Sequence, residues 1–254
     1  MARLSLFRLL PLCLAAAPLA AIAQTDEIQI YDAEIAESGH FVATLHNNYA
    51  PDGLKQPVFP GGTSSNHSWN GGLETAYGVA DWWELGLYLP IYTFTQGTAQ
   101  FDGGKVRTLF VVPDAAHQTF FCGVNFELSL NNKHWEDHSP SLEVRPILGL
   151  HLGKWDLISN PIIDSGFNGT GNASFAPSER IAYNITETCA VAVEHYADYG
   201  SFRASAPLGR SYQELFGVAD YRFNDANAVE FGAGFGLNNA SDRLVLKLIL
   251  NHSF

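Results

Sequence analysis

Single charged or polar residues recur between apolar ones along most of the chain. The acids are Glu74, Glu84, Glu127, Glu143, Glu194 and Glu230, the bases are Arg145, Arg180, Arg222, Arg243 and Lys247, and Asn125 and Tyr196 share their register. Charges of both signs in such a row can line a water path and select what crosses it. They can also pair and fill the same space, because buried charges persist chiefly when paired.

Three other groupings carry weaker chemistry. His134-Trp-Glu-Asp-His138 sets two histidines four apart, but the zinc-protease pattern needs Glu directly after the first His, and Trp135 stands there; a polar loop is the plainer reading. Gly232-Ala-Gly-Phe-Gly236 has the glycines of a phosphate loop, yet they alternate within a strand and no helix follows, so small residues facing a lumen are expected instead. Ser159 and His195 could serve a lipid hydrolase on an outward face, but they fall on strands two apart, roughly 10 Å. Nucleophile and base need hydrogen-bond reach. No catalytic, cofactor-binding or metal-binding residues are therefore expected.

The elements that would position the charges are strands. Leu244 to Phe254 alternates with period two, Leu244, Leu246, Leu248, Leu250 and Phe254 against Lys247, Asn251 and Ser253. Its length suits a tilted membrane-crossing strand of roughly 9 to 11 residues. The same alternation marks strands at 41–49, 69–77, 83–91, 105–112, 120–130, 142–150, 155–160, 174–184, 191–199, 211–223 and 229–235, about twelve in all. Trp83, Leu85, Leu87, Leu89 and Ile91 are expected outward on the third. Thr95 to Gly104 reads as a polar loop, and Pro146 and Pro161 weaken the strands they interrupt. Glu179 falls on an apolar face without explanation.

If the last strand ends in the periplasm, the short connections near Val79, Pro113, Leu152, Ile185 and Asn224 are periplasmic. Five of the six external connections, at Ala50, Thr95, Asn131, Ser165, Gly200 and Asn238, are then long. That asymmetry and an even strand number characterise bacterial outer-membrane barrels. Trp69, Tyr77, Trp83, Trp155 and Phe254 are the candidates for the membrane-interface aromatic belts. A soluble β-sandwich would show similar alternation but has no reason to combine these features.

The amino terminus adds context. Residues 1–23, with Arg3 and Arg8 before an apolar run ending in Ala21-Ile22-Ala23, read as a cleaved signal peptide. Residues 24–39 form an acidic segment, either a solvated periplasmic extension or a piece folded into the barrel mouth, and residues 40–254 form the barrel. The formal net charge is −12, which disfavours nucleic acid as a partner. Charged residues are only 16% of the chain and aromatics 13%. Cys122 and Cys189 fall on strands too far apart to bridge and read as small apolar residues.

Glu27-Ile-Gln-Ile-Tyr-Asp-Ala-Glu-Ile-Ala-Glu37, Leu45-His-Asn-Asn-Tyr49, Tyr77-Gly-Val-Ala-Asp-Trp-Trp-Glu-Leu-Gly-Leu-Tyr-Leu-Pro90, Glu143-Val-Arg-Pro-Ile-Leu-Gly149 and Asn160-Pro-Ile-Ile163 resemble a family of proteobacterial outer-membrane β-barrel proteins labelled transporters, similar in style to barrels associated with aromatic-compound degradation. The resemblance implies an all-β transmembrane antiparallel barrel in the bacterial outer membrane and a passive channel for a small solute. A structural or lipid-contacting barrel with a closed lumen is the alternative. Outer-membrane lipid, lipopolysaccharide and, through Phe254, the barrel-assembly machinery are the implied partners.

Overall fold

The computed structural model describes residues 27–167, 173–203 and 205–254. The expected signal peptide lies outside them. Fourteen β segments follow in order: β1 Phe41–Asp52, β2 Ser68–Ala80, β3 Trp83–Thr95, β4 Thr98–Val111, β5 Phe120–Asn131, β6 Ser141–Leu152, β7 Trp155–Asn160, β8 Ile163–Gly166, β9 Ser174–Phe175, β10 Ser178–Asn184, β11 Cys189–Asp198, β12 Tyr212–Asn224, β13 Asn227–Gly236 and β14 Leu244–Ser253.

Chain neighbours pair antiparallel, β5 pairs with β6, and β14 returns to β1 with Val42 opposite Ser253 and Leu45 opposite Leu250. No edge is left, which excludes the sandwich. Pro161 separates β7 from β8 and Pro177 separates β9 from β10, because proline brings no N–H to the ladder. β8 and β9 continue the pairing of β7 and β10 toward one end. The fourteen segments thus make a closed barrel of twelve strands.

Alternation sorts the side chains. Leu85, Leu87, Val106, Phe126, Val193 and Leu250 are exposed on the outside, where only an apolar medium would cover them. Glu74, Glu84, Arg107, Glu127, Glu194 and Lys247 are buried on the inside. Aromatics collect at both ends of the wall. Phe41 meets Tyr77 at 4.7 Å, Trp82, Trp83 and Phe110 stack at 6.1 Å, and Trp155 meets Tyr183 at 4.9 Å at the short-turn end. The terminal Phe254 lies there too, its amide donating to the Phe41 carbonyl at 2.9 Å. Trp69, 6.0 Å from Tyr49, stands at the other end.

Two expectations about this wall need correction. Thr95 to Gly104 is not a loop: β3 runs to Thr95 and β4 starts at Thr98, leaving a turn of Gln96 and Gly97 with φ of 49° and 77°. Two consecutive left-handed residues match the twist of a two-residue hairpin. Ile91 does not face outward but is fully buried, because the register shifts between Tyr88 and Ile91, where Pro90 withholds a ladder donor.

Glu179 also finds its reason. It stands opposite His195 on β11, and the two side chains share a hydrogen bond of 3.1 Å on the outer face. Cys122 and Cys189 are both free.

The lumen as candidate functional site

The interior of the barrel is occupied by chain that belongs to no strand. Residues 27–38 enter it, and Ile28, Ile30, Tyr31, Ala33 and Ala36 are buried there. The acidic segment is therefore not a solvated tail over these residues. Ile30 and Tyr31 pack with Leu109, Phe121, Ile147 and Ile158 of the wall on one side, and Ile28 packs with Phe216, Val218 and Val245 on the other. This explains why β12 places apolar residues on its inner face.

Polar groups of the segment are met one by one. The Tyr31 amide donates to Asn160 Oδ1 at 2.8 Å, and Asn160 Nδ2 donates back to the Tyr31 carbonyl at 3.0 Å. The hydroxyls of Tyr31 and Tyr88 share a hydrogen bond of 2.9 Å. Ala36 N–H donates to Glu84 Oε2 at 2.5 Å, and Lys247 Nζ donates to the Ile28 carbonyl at 3.1 Å. A β carbon added to Gly78 would collide with the carbonyl oxygens of Ala36 and Glu37, so only glycine lets the segment cross β2 where it leaves the lumen.

Two ion-pair networks flank it. On the β1–β6 wall, Arg107 bridges Glu74 and, at 2.7 Å, Glu84; His46 lies 3.3 Å from Glu74 and Lys105 3.0 Å from Glu127. Arg145 grips Glu143 with two donors at 2.6 and 3.0 Å and reaches Glu27 of the segment at 3.3 Å. Its guanidinium lies over the Tyr31 ring, 4.3 Å from the centroid, a cation–π contact. On the β10–β14 wall, Arg180 pairs with Glu194 and Asp220 and reaches Glu230 at 3.3 Å. Lys247 bonds Glu194 and Glu230 at 2.5 Å each, and the Tyr196 hydroxyl donates to Glu194 at 2.8 Å. Asn125 of β5 is buried on the first of these walls with neither amide atom partnered.

Two of the expected lumen residues are elsewhere. The Arg243 side chain is 81% exposed and pairs with Asp52 at 3.4 Å, since it precedes β14 at the rim. Arg222 sits near the end of β12, half exposed, 3.6 Å from Glu34 at the mouth. Sequence reasoning in turn passed over Arg107, Lys105, His46, Tyr31 and Asp220. The period-two signal did reach Arg107 and Lys105 through β4, which read as a weak strand.

The glycines of β13 do not leave open space. The Lys247 stem lies over Gly232, and the Phe216 ring lies over Gly234 so closely that a β carbon there would overlap it. His134 bonds Asp102 at 2.6 Å while His138 is exposed beside Asp137, so the two do not converge on a common ligand. Ser159 is opposite Glu179, which separates it from His195 by one strand. The order Ser, Glu, His puts the base out of reach of the nucleophile.

No family model matches the chain, and no curated protein matches it in sequence. Solved structures do match in shape. The COG4313 outer membrane channel from Pseudomonas putida F1 is 13% identical with a TM-score of 0.56, over 90% of this chain and 100% of that one. The KdgM porin is 11% identical with a TM-score of 0.55, over 84% and 99%. A second KdgM structure, in complex with disordered oligogalacturonate, is 12% identical with a TM-score of 0.51 over the same shares. At such identities the likeness carries the fold.

Proposed function

We propose that this chain is an outer-membrane channel for small solutes, exported with residues 1–23 as its signal peptide and inserted with Phe254 presented to the assembly machinery. Outer-membrane lipid and lipopolysaccharide would cover its apolar exterior. The observation that carries the reading is the lumen's construction. Its walls are charged and hydrogen-bonding, and the space between them is taken by a tethered segment rather than by side chains of the strands alone. The segment is held by apolar packing, single hydrogen bonds and the Glu27–Arg145 pair, and its departure would open the lumen without breaking a strand of the wall.

The charges favour a class of solute. Among the described residues, the carboxylates of both networks outnumber the bases, so the lumen favours cationic and neutral solutes over anions. An oligogalacturonate, which the KdgM structure contains, is a polyanion and would meet an unfavourable field here.

The closed structural barrel is the second reading, favoured by the burial of both ion networks. Planar-bilayer recording separates them. The channel reading expects conductance steps with a cation-selective reversal potential, more frequent in Gly78→Ala, where the segment is pushed from its crossing. Silence in both the parent and that variant would leave only the closed barrel.

A further inference from the structure

At the long-loop end, a cavity of about 10 Å³ has an apolar side made by Ile28, Ala50 and Val245 and a polar side made by Asn48 of β1, Asn70 of β2, Tyr212 and Glu214 of β12, and Asp242 of the loop before β14. Its size suits one water-sized occupant. Glu214 is fully buried, and neither of its carboxylate oxygens has a hydrogen-bond partner. The Tyr212 hydroxyl and the Asp242 amide flank it outside hydrogen-bond geometry. Asp242 is buried as well, and its Oδ1 accepts from the Leu54 amide at 2.7 Å and the Ser65 hydroxyl at 2.5 Å. A buried carboxylate with both oxygens unmet, beside a second carboxylate, calls for a positive occupant.

We propose that this cavity is a divalent cation site, held by the carboxylates of Glu214 and Asp242 with the side-chain amide oxygens of Asn48 and Asn70. Every donor is a hard oxygen, with no imidazole or thiolate, which selects against zinc and copper. The charge of the site would come from two carboxylates alone, since among the described residues no three His, Cys, Asp or Glu side chains converge to hold a metal ion. The donors come from several elements and are irregularly placed, which suits Ca²⁺, with its flexible shell, better than octahedral Mg²⁺. The site would fasten the loop before β14 to β1 and β2 across the seam where the barrel closes.

Terbium luminescence and unfolding of the purified full-length barrel test this. Tb³⁺ added to chelator-treated protein is expected to luminesce on tyrosine excitation, Tyr212 being at the site, and to be displaced by Ca²⁺ but not by Mg²⁺. Ca²⁺ is expected to raise the urea midpoint of the parent. Glu214→Gln and Asp242→Asn should each weaken Ca²⁺ binding by roughly 100-fold, as removal of a charged ligand does. Glu214→Gln should also leave the metal-free barrel at least as stable as the parent, because it deletes an unmet charge. The proposal is overturned if the parent shows neither luminescence nor a Ca²⁺ shift, which would mean a water-filled cavity, or if the shift survives in both variants, which would place the cation elsewhere.

Discussion

Replacing Lys247 with Met isolates the energetics of the β10–β14 network. Methionine keeps an unbranched stem to lie over Gly232 and removes the ammonium, which is 1% exposed. Four polar interactions vanish together: those with Glu194 and Glu230 at 2.5 Å and the hydrogen bonds donated to the Ile28 carbonyl at 3.1 Å and the Tyr196 hydroxyl at 3.3 Å. Removing one member of a buried pair costs 3–5 kcal/mol, because the other charge stays buried. Arg180 still serves both carboxylates and the Tyr196 hydroxyl still serves Glu194, so the low end applies, ~3 kcal/mol. Urea titration of the barrel in lipid vesicles measures it. Adding Glu230→Gln removes the surplus charge, and the double variant is expected to recover ~2 kcal/mol as coupling between neighbours. Loss of the Ile28 anchor should also raise the frequency of conducting events. A single variant within ~0.5 kcal/mol of the parent, the range of ordinary surface substitutions, would refute the reasoning. So would a double variant whose loss is the sum of two independent ones.

Two glycine substitutions distinguish wall from segment. Gly78→Ala forces the backbone of Ala36 and Glu37 away while leaving β2 paired, so faster proteolysis within residues 27–38 is expected, with the barrel unfolding midpoint lowered only by the segment's lost contacts. Gly234→Ala drives a methyl into the Phe216 ring and should cost about 1–3 kcal/mol, as overpacking does, with Phe216→Leu recovering most of it in the same titration.

The wall was legible because a strand with one face in lipid and one in a polar lumen must alternate, and most of the twelve strands do so cleanly. Legibility failed where a local backbone event overrides the period. Pro90 shifts the register and turns Ile91 inward, and Arg243 was assigned by parity although the strand begins one residue later. The segment in the lumen was misleading for another reason. Its Asp and Glu residues read as a solvated composition, while Ile28, Ile30 and Tyr31 form an apolar group that only the assembled wall can cover. Asp220 was obscured because its strand puts Phe216 and Val218 on the same inner face, and they have a partner only once residues 27–38 are in place. Nor does the sequence bring Glu214, Asp242, Asn48 and Asn70 together, since they meet only across the seam between the last strand and the first.

The bond from Lys247 to the Ile28 carbonyl joins positions 219 residues apart. Residues 27–38 are made well before their anchor, which rides on β14. Chain closure over such a separation carries a large entropic cost and comes late in assembly. Until β14 meets β1, the segment has half a socket, and Glu194 and Glu230 lack the lysine that neutralises them. Seating of the segment therefore waits on sealing of the cylinder, so an unsealed intermediate is also an unplugged one.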